Sequence, residues 1–191
     1  MKRSPFEKPV DLEVLCEGRH LRLVRRNGWE FAERRGLPGV AVIAAVTEDR
    51  QIVFVEQHRE SVQRRVIELP AGLAGDEAGH EDEPLQDAAG RELTEETGYT
   101  ADHIERVFSG PPSAGVSNEV LTFFFATGLK KSGPGGGVLG EDITVHTVPL
   151  GSAAEWLQER QEAGCLIDPK VYSGLFIAEQ RCNSFPSPRQ R

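Results

Sequence analysis

Apolar residues along this chain recur at two different periods. Up to Arg35 they alternate with polar ones: Leu12, Val14, Leu21, Leu23 and Phe31 keep period two on either side of Glu17-Gly18 and Asn27-Gly28, two turn-forming dipeptides. This predicts a small antiparallel sheet with strands near residues 11–17, 20–26 and 29–35. Such a sheet needs another surface to cover it, supplied by the main domain or by a second subunit. After Pro38-Gly39 the pattern changes to a nearly continuous apolar run, Val40 to Val46, followed by alternation from Gln51 to Glu56. Two strands joined at Glu48-Asp49-Arg50 are expected there. Further strands are expected over Ile104 to Phe108, over Leu121 to Leu129 with its three consecutive phenylalanines, and over ITVHTVPL, residues 143–150.

Helical signals are fewer. The stretch from Pro84 reads as a helix, because Pro84 suits a first turn, Gly98 suits the end, and Leu, Ala, Glu, Gln and Arg fill the interior. Gly151-Ser152 can start a second helix running to about Gly164, with Trp156 and Leu157 toward the core. Pro169 can open a third, with Val171, Leu175, Phe176 and Ile177 facing inward. The closing CNSFPSPRQR reads as a frayed tail.

The first of these helices carries the chemistry. At 100° per residue, Leu85, Ala88 and Ala89 define an inward face, and Glu92 and Glu96 fall on the same face further along. Buried carboxylates are costly, and a like-charged i,i+4 pair adds repulsion, so a cation belongs between them. Glu95 borders that face and Glu83 adds a carboxylate at the helix start, whereas Arg91, within reach of Glu95, cannot neutralise three acids. Hard divalent ions take oxygen ligands of this kind, with substrate phosphates supplying others. A Mg²⁺ or Mn²⁺ site serving a phosphate-containing substrate is therefore expected.

Bulk properties narrow the partners. The 191 residues suit one domain with a smaller appendage, and a formal charge of −8 disfavours non-specific binding to nucleic acid or membrane. Cys16, Cys165 and Cys182 are odd in number and lack metal-ligand spacing, as reduced thiols of a cytoplasmic protein do. MKRSPFEKPV lacks the apolar core of a signal peptide, and no stretch approaches a membrane span. His58, His80, His103 and His146 are scattered rather than paired as ligands.

The stretch from Ile67 to Tyr99 resembles the Nudix box of the Nudix hydrolases. Glu83, Arg91, Glu92, Leu93, Glu95, Glu96, Gly98 and Tyr99 match it in register, whereas ten residues instead of five separate Gly72 from Glu83. Five extra residues in a surface loop add well under about 1 kcal/mol of closure entropy, so the site is expected to survive. The resemblance implies an α/β/α sandwich with a mixed sheet, residues 39–191, preceded by the small antiparallel sheet, residues 1–38. It also implies that Glu92, Glu95, Glu96 and the Ala71 carbonyl hold the metal, that Arg59 of the Gln-x-Arg pattern meets the substrate's phosphates, and that Glu68 supports the site. Arg64 and Arg65 receive no role.

Two other segments resemble the ADP-ribose and nucleoside-diphosphate-sugar branch of that family. Trp29, Glu30 and Arg34 match a Trp-Glu pair followed four residues later by Arg, on a sheet that in this branch exchanges across a homodimer to complete the partner's base pocket. Read from the residues alone, Trp29 either packs across its hairpin or stacks on a nucleobase. The glycine-dense KKSGPGGGVLG before Glu141-Asp142 resembles a loop whose acid orients or deprotonates water, and GPGGG resembles members that cleave UDP-sugars. Glu141 is preferred to Asp142, and the glycines suit a mobile lid. Ala114 departs from the branch, which usually has proline there. The expected activity is Mg²⁺-dependent hydrolysis of a nucleoside-diphosphate sugar of the ADP-ribose or UDP-glucose type. Dinucleoside polyphosphates or nucleoside triphosphates are alternative substrates. A non-catalytic nucleotide-sugar sensor is a further alternative, although it would more naturally have lost one of Glu92, Glu95 and Glu96.

Overall fold

The alternating segment forms β1 (Leu12–Glu17), β2 (Leu21–Arg26) and β3 (Trp29–Arg34), an antiparallel sheet in that order, in a computed structural model that describes residues 12–36, 39–75, 82–137 and 142–184. Asn27 and Gly28 both take positive φ, 51° and 80°, as a tight hairpin turn with the right twist requires. The expected alternation is present, but its burial differs. Val24 is fully buried, whereas Val14, Leu21 and Leu23 stay exposed, because only part of this sheet is covered within one chain. The free edge of β3 is occupied instead by a loop: the Ala32 amide donates to the Val116 carbonyl (2.8 Å), and the Asn118 amide to the Ala32 carbonyl (3.3 Å).

The main body contains β4 (Gly39–Ala45), β5 (Gln51–Arg59), β6 (Arg64–Glu68), β7 (Ala71–Ala74), α1 (Leu85–Thr97), β8 (Tyr99–Gly110), β9 (Leu121–Lys131), β10 (Ile143–Pro149), α2 (Ala153–Glu162), β11 (Leu166–Ile167) and α3 (Lys170–Ser184). The mixed sheet exists as two four-stranded halves, β10-β5-β6-β11 and β7-β4-β9-β8, with β4–β9 and β6–β11 parallel. β4 shows why its run is continuously apolar, since a strand buried on both faces loses the polar alternation. Ala41, Ile43 and Ala45 face the cluster containing Ala89 and Leu93 of α1. Val42 and Ala44 face the opposite cluster, with Leu157 of α2 and Val171 and Ile177 of α3. The α/β/α layering is thus set by one strand with two apolar faces.

Several local expectations shift. α1 begins at Leu85, with Pro84 extended just before it, and ends on Gly98 in the left-handed conformation at φ 69°. β8 runs the full Tyr99–Gly110, far beyond Ile104 to Phe108, because an edge strand exposed on one side carries little apolar signal. Phe176 was expected to face inward and is 64% exposed, as is the neighbouring Tyr172 one turn earlier at 54%. Among the described residues, no helix is long and apolar enough to cross a membrane.

Candidate active site

The carboxylates of α1 lie where the helical wheel places them. Glu92 and Glu96 are only 8% and 7% exposed, on the face that also buries Ala88, Ala89 and Leu93. They meet the start of β7. The Ala71 amide donates to Glu96 Oε2 (3.0 Å), and a Cβ built on Gly72 would fall 1.8 Å from the Glu92 carboxyl carbon. Only glycine leaves room for that carboxylate, so Gly72 belongs to the site even though its spacing from Glu83 departs from the Nudix pattern.

Arg91 does more than its i,i+4 relation to Glu95 suggested. Its Nε and Nη2 donate to the two oxygens of Glu83 (3.1 and 3.0 Å), its Nη1 to Glu92 (2.9 Å) and Glu95 (3.2 Å), and Nη2 also to the Leu73 carbonyl (2.9 Å). The hydrogen bonds it donates to Glu83, followed by the charge of Glu92, raise the affinity of this guanidinium for its proton. Among the described residues, one guanidinium thus meets three acids, with Glu96 beside them, and no three acidic, histidine or cysteine side chains are already gathered to hold a metal ion. The donor set nonetheless fits a hard divalent cation: it is all oxygen and seated in a cradle that a side chain at Gly72 would fill.

On the β5–β6 hairpin, Arg59 donates through Nε (2.8 Å) and Nη2 (2.6 Å) to Oε2 of the buried Glu68. Glu68 thereby fixes a guanidinium that is itself 45% exposed. Arg65, unassigned from sequence, bonds Glu56 and, through Nη1, Asp142 (2.7 Å). His146 Nε2 lies 2.9 Å from the same Glu56. Burial works against ionisation of Glu56, but the hydrogen bonds from His146 and Arg65 hold it below the usual carboxylate range. Glu141 lies outside the described residues. The glycine segment before it does not behave as a free hinge as far as Gly137: Gly136 and Gly137 donate to the Glu96 and Glu95 carbonyls of α1 (2.8 and 3.0 Å).

Trp29, Glu30 and Arg34 are not brought together. Trp29 is 64% exposed at the hairpin end of β3 and lines an open pocket of about 400 Å³ with Arg26, Phe31 and Ser117. It is therefore not packed into its hairpin. Glu30 pairs with Arg25 at 2.7 Å. Arg34, at the far end, pairs with Glu119 (2.9 Å) and lines a separate cleft of about 340 Å³ with Val40 and Asn118. Five residues of strand span roughly 17 Å, so one bound base cannot touch both Trp29 and Arg34 of one chain. What the sequence did not disclose is that the turn-rich 113–119 loop links the two pockets.

Comparison with known proteins agrees with this arrangement. Residues 37–163 match the model of the NUDIX domain. The chain is 31% identical over 163 residues to a methanol dehydrogenase activator of Bacillus methanolicus, covering 81% of this chain and 85% of that one. It is 32% identical over 152 residues to an ADP-ribose pyrophosphatase of Mycobacterium tuberculosis, covering 79% and 70%. A crystal structure of an ADP compounds hydrolase superposes with a TM-score of 0.70 at 17% identity, over 96% of this chain and 98% of that one, which is a likeness of fold. With Glu92, Glu95 and Glu96 on one helix, Gly72 against them and the domain match running through both, this chain belongs to the Nudix family.

Proposed function

We infer that this protein hydrolyses the P–O–P bond of a nucleoside-diphosphate sugar, giving a nucleoside monophosphate and a sugar phosphate, with a divalent cation. The observation that carries the reading is the burial of the Glu92 and Glu96 carboxylates on one face of α1 against Ala71 and Gly72, with Glu83 and Glu95 joined to them through Arg91. Glu92, Glu95, Glu96 and the Ala71 carbonyl are the groups that would hold Mg²⁺, with Mn²⁺ as a substitute. When bound, the ion would lower the pKa of water and neutralise charge on the phosphates. Arg59, held by Glu68, presents its free guanidinium edge to the diphosphate. Water adds to one phosphorus, the bond from that phosphorus to the bridging oxygen breaks, and Glu141 accepts the water's proton. The Asp142–Arg65 pair supports Glu141 in that role, because Asp142 is already engaged.

Residues 1–38 form the recognition element and residues 39–191 the catalytic domain of a cytoplasmic homodimer. Exposed Leu21 and Leu23, on one face of β2, leave an apolar surface for a second copy to cover. Trp29, with Glu30, serves the partner's base pocket, and Arg34 faces phosphate or ribose in the cleft of its own chain, which accounts for their separation along β3. Product analysis with ADP-ribose, UDP-glucose, GDP-mannose, NADH and a diadenosine polyphosphate in Mg²⁺ tests the reading. Nucleoside monophosphate plus sugar phosphate from one of the first three is the expected outcome. Turnover confined to the diadenosine compound, or no turnover at all, would overturn it.

A further inference from the structure

Glu95 and Glu96 occupy a poor place for precise chemistry. They stand in the last turn of α1, two residues and one residue before Thr97, where helices fray and where the helix dipole disfavours negative charge. No basic residue of α1 lies in that turn to compensate. The last carbonyls of a helix normally lack partners. Here each one from Thr94 to Gly98 has a donor. Gly98 N–H serves Thr94 (2.8 Å), Gly137 N–H serves Glu95 (3.0 Å), Gly136 N–H serves Glu96 (2.8 Å), and Lys131 Nζ serves Thr97 (2.7 Å). The amides of Ser132 and Gly133 close the set on the Gly98 carbonyl (2.8 and 3.2 Å).

The contact is backbone against backbone. A Cβ on Gly98 would stand 2.2 Å from the Gly133 oxygen, and one on Gly135 would stand 2.4 Å from the Thr97 carbonyl carbon; both glycines have positive φ, 69° and 70°. The Lys131 ammonium also lies 4.5 Å from the Tyr99 ring centroid, which holds the cation at the negative end of the helix. The segment thus supplies both the hydrogen bonds and the charge that this helix end lacks, at the two residues whose side chains enter the carboxylate cluster.

We propose that Lys131–Gly137 is a positioning clamp: by capping the C-terminus of α1 it fixes the backbone of Glu95 and Glu96 and so sets the affinity of their carboxylates for a divalent ion, without touching ion or substrate. The proposal rests on the metal reading given above, and its test separates the two. The probe is Mn²⁺ alone, titrated by electron paramagnetic resonance into nucleotide-free full-length protein, for wild type, Glu96→Gln, Gly135→Ala, Lys131→Met and Lys131→Arg. Circular dichroism checks that each is folded. The clamp predicts that Gly135→Ala and Lys131→Met weaken Mn²⁺ binding by about tenfold, the lower end of what lost supporting contacts cost a metal site, while Lys131→Arg recovers most of it. Affinity for ADP-ribose measured without metal should stay at the wild-type value in the Gly135 and Lys131 variants. If Gly135→Ala does not fold, the Lys131 pair carries the test. Wild-type Mn²⁺ affinity in Lys131→Met while Glu96→Gln has lost it would overturn the clamp and leave the metal site standing. Failure of the wild-type protein to bind Mn²⁺ would overturn both.

Discussion

The C-terminal end of α1 and the β1–β3 sheet, the two regions to which the proposed function gives roles, are built in opposite ways. Around α1 the polar groups find partners within the chain: Arg91 spans Glu83, Glu92 and Glu95, the Ala71 amide holds Glu96, and the 131–137 segment caps the carbonyls. The sheet, by contrast, leaves Trp29, Leu21 and Leu23 open to solvent and places Trp29 and Arg34 at two separate pockets. The difference follows from what each part must do. Charges clustered out of water need fixed partners at short range, which one chain can supply by packing. A surface that stacks on a flat, uncharged base needs only an accessible ring, and its second wall can come from elsewhere.

The sharpest way to break this contrast is Glu96→Gln. Turnover should fall by at least about a hundredfold, the scale of one lost preorganised electrostatic contact. Ion-free melting should stay level or rise, because the amide oxygen can still accept from Ala71 and the charge crowding eases. Near-normal turnover in saturating Mg²⁺ would remove α1 from the chemistry. Next in size, Trp29→Ala should weaken substrate binding by about 1–3 kcal/mol with kcat nearly unchanged. Mixing Trp29→Ala with Glu96→Gln subunits under exchange sharpens the point. In a swapped dimer one hybrid site carries both defects and the other none, so activity at substrate well below the KM of Trp29→Ala should exceed that of either parent; no recovery would confine Trp29 to its own chain.

A smaller effect is expected from the double change Leu21→Ser and Leu23→Ser. Both side chains are exposed, so the stability of the single chain should move by no more than about 0.5 kcal/mol, while sedimentation shifts from dimer to monomer. An unchanged dimer would assign the interface to another face. The smallest effect concerns acid stability. Glu56 has a folded pKa below its unfolded value, so its contribution is complete above the unfolded pKa and fades as pH falls through the folded one. The advantage of wild type over Glu56→Gln should be about 1–2 kcal/mol above pH ~5 and shrink below pH ~4. A gap that is constant with pH would mean that the His146–Glu56–Arg65 group does not titrate with folding.

Legibility followed how local each signal was. The direction of Glu92 and Glu96, the Asn27-Gly28 turn and the double-sided apolar run of β4 depend on neighbours within a few residues, and each was readable. The inward placement of Phe176 failed because an apolar residue at the edge of a helical face carries no mark of which neighbour, if any, covers it. β8 was read short because its exposed edge has no periodic apolar face. Arg65 stayed without a role because its partners, Glu56 and Asp142, lie 9 and 77 positions away.

By itself, then, the sequence determined the helix, the face of its acids, the alternation of the small sheet and the apolar run of β4, all consequences of backbone periodicity and residue type; the α/β/α layering was implied only by the Nudix resemblance. Only the tertiary structure decided that Gly72 cradles Glu92 across a spacing that departs from the Nudix pattern, that Arg91 holds three acids at once, and that a glycine segment more than thirty residues on caps the helix. It also separated Trp29 from Arg34. These facts depend on distances between segments that the chain brings together only by folding, because hydrogen bonds and ion pairs act over about 3 Å of space whatever their separation in sequence.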